Sequence, residues 1–205
     1  MSELKASEKW IVAGYELFAK EGPVGIQVER LARILNLNKS GFYHYFGDME
    51  NFSRQLIRYH YRLFGQFLDE YADCQNVDPE YLNIVVKHKI SVMGQMQMVR
   101  NKSNPLFYNV NKELDEQVVR IGQRIWAKHL DIHNNPDLVS MYLGLVRDMF
   151  YSRITLERFT FDYLQTLAQE AKEIVTKIHN QRKNEYGLVD RENSPMPYDR
   201  EEDLG

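Results

Sequence analysis

The chain is poor in cysteine and in long apolar runs. Its single cysteine, Cys74, excludes an internal disulfide and is typical of a protein that works in a reducing compartment. No apolar run approaches the ~18 residues that a membrane helix needs. The first residues also lack the unbroken apolar core of a signal peptide. These absences lead us to expect a cytoplasmic protein with no membrane partner.

Charge of one sign and the common catalytic motifs are missing as well. Lysine and arginine total 26 against 29 aspartate and glutamate residues, which gives a formal net charge of -3. Overall charge therefore gives no support for nucleic-acid binding, and any such role must depend on a local surface. The sequence has no glycine-rich phosphate loop, no G-x-S-x-G motif and no Cys/His pairing around Cys74. We therefore expect that the protein is not an enzyme and that it binds no cofactor.

The sequence is rich in apolar residues at helical spacing. Apolar residues recur at three- and four-residue spacing through most of the chain, and no stretch alternates convincingly in the manner of a β-strand, which predicts an all-α fold. Glycine, proline and capping residues divide the pattern. The expected helices are 6–21, 27–34, 38–46, 48–73, 79–99, 111–130, 136–158 and 161–182. Residues 183–205 hold seven acidic residues and little that packs, so we expect a flexible acidic tail.

The stretch "LNLNKSGFYHYF", residues 35–46, places a glycine one turn into a helix. An interior glycine costs roughly 0.5–1 kcal/mol relative to alanine, which indicates that something requires the missing side chain. Two short helices joined by the turn 35–37, and braced by the helix before them, form a helix-turn-helix. Asn36 lies where such a turn needs a left-handed residue. By spacing alone, a plain helical hairpin is an equally good interpretation.

The second of these short helices has an apolar face and a polar face. Phe42, Tyr45 and Phe46 are spaced to pack inward, and we expect Leu35 and Leu37 to join them. The polar face and the leading end would enter the major groove of DNA, where free N–H groups, a lysine and hydroxyl groups bind phosphates or base edges. The missing side chain of the glycine would let the backbone approach the duplex.

The run "VERLARILNLNKSGFYHYFGDMENF", residues 28–52, resembles the N-terminal domain of the tetracycline-repressor (TetR) family. It contains an apolar–alanine pair in helix two, a three-residue turn, a Ser/Gly-rich start to helix three and an aromatic close. The resemblance implies a helix-turn-helix DNA-binding domain, which we place at residues 1–50. The residues expected to contact DNA are Gln27, Val28, Asn38, Lys39, Ser40, Gly41, Tyr43 and His44.

Four residues depart from the family pattern. Ile26 and Gln27 stand where threonine is common, Asn36 stands where glycine is common, and Met49 replaces a lysine that usually touches phosphate. The departure at position 49 removes one expected phosphate contact.

The resemblance also implies a helical regulatory and dimerisation domain, which we place at residues 51–182. Its last two helices carry apolar stripes that suit pairing across a two-fold axis, and the same stripes also suit the domain's own core. The expected interface residues are Leu138, Tyr142, Leu145, Met149, Leu164, Leu167, Ala171, Ile174 and Ile178. Methionine and aromatic residues of the middle helices suit a pocket for a small apolar or aromatic ligand. The expected ligand-binding residues are Met93, Met96, Phe107, Tyr108, Trp126 and Phe150.

Together these features predict a homodimeric, ligand-responsive regulator, a repressor that binds a near-palindromic DNA operator. Two alternatives stay open. The helix-turn-helix could serve as a protein-interaction module without sequence-specific DNA binding. His129 and His133 have the i, i+4 spacing of two metal ligands on a helix. We favour a solvated helix terminus over a metal site, because Asn134-Asn135-Pro136 follows at once and ends the helix.

Overall fold

The computed structural model describes residues 5–132 and 135–192, with side chains up to residue 181. This part of the chain contains nine α-helices and no strand, which confirms the all-α class. The helices are Ala6–Glu21 (α1), Val28–Leu35 (α2), Lys39–Phe46 (α3), Met49–Asp73 (α4), Leu82–Lys87 (α5), Lys89–Arg100 (α6), Pro105–Leu130 (α7), Pro136–Arg153 (α8) and Phe161–Glu192 (α9). None of them is long and apolar enough to span a bilayer, as far as the described residues extend.

Helices α1 to α3 pack around an aromatic core that is shared with the start of α4. Trp10 and Phe42 are fully buried, with ring centroids 5.5 Å apart, and the rings of Phe42 and Phe52 are 4.9 Å apart. A Cβ added to Gly14 would lie 2.6 Å from Cζ of Phe52, so this glycine is what allows α4 to approach α1 so closely.

The turn between α2 and α3 has the predicted left-handed residue. Asn36 has φ 54° and ψ 46°, and the N–H of Leu37 donates to the carbonyl of Ala32 over 2.9 Å. Two inward assignments were wrong, because Leu37 is 39% exposed and Tyr45 is 46% exposed. The chain reverses direction at Asn36, which turns Leu37 outward. The buried strip of α3 is narrow and consists of Phe42 and Phe46, and Tyr45 lies on its solvent flank.

Several helix ends differ from the predicted ones because of local backbone features. The helix expected over 79–99 breaks at His88, which separates α5 from α6. Helix α7 begins at Pro105, ahead of the expected residue 111, because the Asn104 side chain accepts a hydrogen bond from the N–H of Leu106 over 2.9 Å. Helix α8 ends at Arg153, whereas we expected 158.

The last helix, α9, passes the expected end at residue 182 and continues to Glu192. The first part of the segment that we expected to be a loose tail is therefore helical. Residues 193–205, the rest of that acidic segment, lie outside the described residues.

A buried polar chain joins the helix-turn-helix to the rest of the protein. Helix α1 packs along α6 and α4. The hydroxyl of Tyr15 on α1 lies 2.6 Å from Nδ1 of His60 on α4, and Nε2 of His60 lies 3.0 Å from Oε1 of Gln95 on α6. Nε2 of Gln95 donates to Oδ1 of Asn111 on α7 over 3.0 Å. Four helices thus share one line of side-chain hydrogen bonds. The division of the chain at residue 50 stays a prediction.

Candidate nucleic-acid interface and ligand cavity

The outer face of α3 points into open space. The side chains of Lys39, Ser40, Tyr43 and His44 are exposed. A Cβ placed on Gly41 would meet no described atom within 4 Å. The packing of the described protein therefore does not require a glycine at this position. Because glycine has no side chain, the backbone of α3 is uncovered here on its outer face.

The leading ends of α2 and α3 carry backbone N–H groups that their cap residues do not satisfy. Gln27 and Asn38 are the N-cap residues and are exposed, but neither side chain makes a capping hydrogen bond. By contrast, Asp48 and Asn104 cap α4 and α7 with their side chains. Free N–H groups and the helix dipole both favour an anion at these two ends.

Lys39, the basic residue at the tip of α3, is held by an acidic neighbour on α2. Its Nζ lies 2.7 Å from Oε1 of Glu29, and the two side chains are 55% and 61% exposed. This hydrogen bond is the main reason why the pKa of Glu29 is lowered. Exposed ion pairs contribute little to stability, so a phosphate can replace Glu29 at low cost. Arg33 is also exposed and forms no ion pair with any residue that the structure describes.

One residue of the predicted DNA contact surface is buried. Val28 is only 6% exposed, because its side chain packs into the core of the helix-turn-helix. Its backbone N–H, at the start of α2, is the group available to a phosphate, and a contact at this position stays a prediction. Met49 is half-buried against the core and supplies no positive charge.

An apolar cavity, called the main cavity below, lies among helices α4 to α9. About 860 Å³ of empty space, which includes open solvent, lies between its lining residues. Of the predicted ligand-binding residues, Trp126 and Phe150 line it. The lining also includes Tyr151 and residues that the sequence did not point to as ligand-binding, among them Phe64, Tyr71, Tyr81 and Arg147.

The other predicted ligand-binding residues lie elsewhere. Met93 and Met96 are 2% and 1% exposed and fill the core, because α6 is enclosed by α1, α4 and α7. Phe107 lines a second cavity, between the helix-turn-helix and the body, whose wall also includes Phe18 and Met98. Tyr108 is 49% exposed and lines neither cavity. The assignment of these four residues to one pocket with Trp126 was wrong.

The predicted dimer stripes divide into an inner and an outer set. Tyr142, Leu164, Leu167 and Ala171 are at most 4% exposed and belong to the protomer's own core, because α8 and α9 pack on each other and on α5 or α7. These four cannot be interface residues in this packing. Leu138, Met149 and Ile178 are half-buried. The outward apolar side chains of α8 and α9 are Met141, Leu145 and Ile174, which are 41%, 50% and 45% exposed.

One member of the His129/His133 pair, His133, lies outside the described residues. Its partner His129 is half-buried, and burial lowers the pKa of this imidazole. Within the residues that are described, no group of three or more His, Cys, Asp and Glu residues is placed to hold a metal ion.

The geometry agrees with comparisons to known proteins. A family model described as bacterial regulatory proteins, tetR family, matches residues 11–56, which include α2, α3 and most of α1. The crystal structure of a TetR-family transcriptional regulator from Marinobacter aquaeolei VT8 shares the fold, with a TM-score of 0.56 and 19% sequence identity. That match covers 87% of this chain and 98% of the other. No curated protein sequence matches the chain. Residues 11–56 thus match the helix-turn-helix segment of the tetR family of bacterial regulatory proteins, and the chain shares its fold with a TetR-family transcriptional regulator.

Proposed function

We propose that the protein is a homodimeric repressor that binds a near-palindromic operator and releases it when a small ligand occupies the main cavity. The outward face of α3 carries this proposal, because it is polar, open and interrupted by a glycine that no described neighbour requires. Two α3 helices would lie in successive major grooves, ~34–36 Å apart. The uncapped ends of α2 and α3 would bind phosphates.

Selection of bound DNA from a random pool by the full-length protein tests this proposal. We expect a palindrome whose half-centres are one helical turn apart. Lys39→Ala and Tyr43→Ala should weaken binding to that sequence, since each removes a phosphate contact, and Lys39→Ala should also reduce the dependence of binding on salt, because it removes a positive charge. A pool that yields no shared motif would instead favour the protein-interaction module.

Gly41→Ala should separate folding from DNA binding. The added methyl group meets nothing within 4 Å in the described structure, so helix propensity alone should raise the free energy of unfolding by about 0.5–1 kcal/mol. The same methyl group lies on the surface facing the duplex, and we expect operator affinity to fall about tenfold. Denaturant unfolding and gel shift measure the two effects. Unchanged operator affinity would contradict close approach of the α3 backbone to DNA.

Glu29→Gln should strengthen operator binding about two- to fivefold at low salt, because it frees Lys39 for phosphate and removes a negative charge near the duplex. The control is Glu16→Gln, which breaks the exposed ion pair between Glu16 and Lys20 within α1. Fluorescence anisotropy with labelled operator, over a series of salt concentrations, measures both. An equal gain in the control would show that general charge, and not release of Lys39, is responsible.

Leu145→Glu and Ile174→Glu should convert the proposed dimer into a monomer, because each places a charge on the outward apolar surface of α8 and α9. The control is Leu156→Glu, a leucine that is 37% exposed and lies between the two helices in sequence. Light scattering at micromolar concentration distinguishes the two states. A wild-type protein with the 24.3 kDa mass of one chain would contradict the dimer.

Contacts near the cavity offer a route by which a ligand could act on α1. The cavity residue Phe64 stacks on His60, with ring centroids 5.3 Å apart and planes at 29°. His60 is hydrogen-bonded to Tyr15 of α1. A ligand that displaces Phe64 would therefore disturb the helix that supports α2 and α3. A coupling of roughly 1–3 kcal/mol would weaken operator binding about 5–150-fold.

A further inference from the structure

The polar groups that line the main cavity are hydrogen-bond donors. Most of the described lining is hydrocarbon or aromatic, and its polar side chains are Tyr71, Tyr81, Trp126, Arg147 and Tyr151. None of the described lining residues has a carboxylate, a carboxamide or an imidazole. A ligand that fills this cavity therefore finds N–H and O–H groups at the few positions where the wall is polar.

Arg147 supplies the only formal charge of the described lining. Its Nη1 donates to Oδ1 of Asp115 on α7, a residue that does not line the cavity. Its Nε also lies 3.7 Å from Oδ1 of the exposed Asp148. A guanidinium has five N–H donors, so these two contacts leave others available. The side chain is 28% exposed, and a partly desolvated guanidinium binds a carboxylate more strongly than one in water.

The tyrosines add neutral donors. Burial raises the pKa of Tyr81 and of Tyr151 well above the usual range, so both hydroxyls keep their protons while the protein is folded. Neither hydroxyl makes a hydrogen bond within the described part of the chain. Tyr71 accepts from Nε1 of Trp126 over 3.1 Å, and its own proton remains available to another acceptor.

We propose that the cavity binds an apolar monocarboxylate, whose hydrocarbon part contacts the aromatic lining and whose carboxylate binds Arg147. This inference rests on the proposed function in one respect, which is that the proposed function places the ligand in this cavity. An apolar cation would lose its hydration without meeting an acidic side chain among the described lining residues, and Arg147 would repel it. A neutral alcohol could accept a hydrogen bond from the wall but would gain no charge pairing with Arg147.

Three probes with the same eight-carbon chain test the charge preference: octanoate, octylammonium and 1-octanol. Trp126 lies in the cavity wall, so its fluorescence reports occupancy in the full-length protein, and calorimetry gives the dissociation constants. We expect octanoate to bind at least about tenfold more tightly than octylammonium. Arg147→Gln should remove about tenfold of the octanoate affinity and leave the 1-octanol affinity within about twofold.

Two variants serve as controls. Arg153→Gln changes another α8 arginine, which pairs with Glu170 and lies outside the described lining, and it should leave octanoate binding unchanged. Asp115→Asn leaves Arg147 in place with only its 3.7 Å contact to the exposed Asp148, and it should raise octanoate affinity. This second variant keeps the test decisive if Arg147→Gln does not fold.

The proposal is overturned if octylammonium binds as well as octanoate, if folded wild-type protein binds no octanoate, or if neither Arg147→Gln nor Asp115→Asn changes octanoate affinity. Operator affinity is measured separately, with and without octanoate. If octanoate binds but operator affinity stays unchanged, the proposal that ligand binding releases the operator is contradicted. The proposal that the cavity binds an apolar monocarboxylate is then still supported.

Discussion

Lowering the pH from 7.5 to 5 should destabilise the folded protein by about 2 kcal/mol through one side chain, His60. His60 is 0% exposed, and burial lowers the pKa of its imidazole to about 4, although the hydrogen bond from the ring to Gln95 opposes that shift. The unfolded chain gains a proton at this residue below pH ~6.5, whereas the folded protein does not until pH falls to about 4. Stability from this group is therefore complete above pH ~6.5 and declines toward pH 4.

The hydrogen bonds around His60 explain why the folded state excludes the proton. In the neutral ring, Nδ1 accepts from the hydroxyl of Tyr15 and Nε2–H donates to Oε1 of Gln95, whose amide then donates to Asn111. A second proton on the ring would place two donors, Nδ1–H and the tyrosine hydroxyl, against each other. Phe64 stacks on one face of the ring, and the polar contacts of the ring in the described structure are with the uncharged side chains of Tyr15 and Gln95.

His60→Gln isolates this contribution from the other groups that titrate in acid. At pH 7.5 the variant should be less stable than wild type. Between pH 7.5 and pH 5, the decrease in its free energy of unfolding should be about 2 kcal/mol smaller than the decrease in wild type. His44→Gln, at an exposed histidine of α3, should keep the wild-type difference. Urea unfolding at the two pH values measures the effect. Equal pH dependence in wild type and His60→Gln would contradict the neutral buried imidazole.

Gly94→Ala should lower the free energy of unfolding by about 3 kcal/mol, the sum of overpacking and of a disturbed buried hydrogen bond. A Cβ at Gly94 would overlap the hydroxyl of Tyr15 and lie 3.4 Å from Nδ1 of His60. Both groups belong to the buried polar chain, and α6 cannot move away from α1 without opening the core. The melting temperature should fall by roughly 6–12 °C.

Gly65→Ala is the matched control. Gly65 lies within α4, where an added Cβ meets nothing within 4 Å, so this variant should gain about 0.5–1 kcal/mol from helix propensity. Tyr15→Phe removes the oxygen that Gly94→Ala would overlap. The Gly94→Ala substitution should therefore cost less in that background, which a double-mutant cycle measures. Wild-type stability of Gly94→Ala would show that Tyr15 relaxes freely.

The helix-turn-helix could be predicted from the sequence because the residues that determine it are close together in the chain. Asn36 adopts the left-handed conformation that the turn requires, Asp48 caps α4 through the N–H of Asn51, and Phe42 and Phe46 are one turn apart on α3. Each of these features depends on residues within a few positions of one another. The resemblance to the TetR family was confirmed over this same segment.

The cavity could not be predicted from the sequence because its wall is formed by helices that are far apart in the chain. Met96 on α6 and Trp126 on α7 are both large apolar residues at helical spacing, but one fills solid core and the other borders the cavity. The difference depends on how neighbouring helices pack, which periodicity does not encode. The same reason explains the dimer stripe, where Tyr142 faces the protomer's core and Leu145 faces outward.

The open outer face of α3 has a consequence for how regulators of this kind diverge. Because Gly41 has no described neighbour outside its own helix and Tyr43 is half exposed, substitutions at these two positions should change the stability of the fold by no more than about 1 kcal/mol. Under the proposed function the same positions contact the operator, so the recognised DNA sequence can change by substitution on α3 while the core of the helix-turn-helix stays the same.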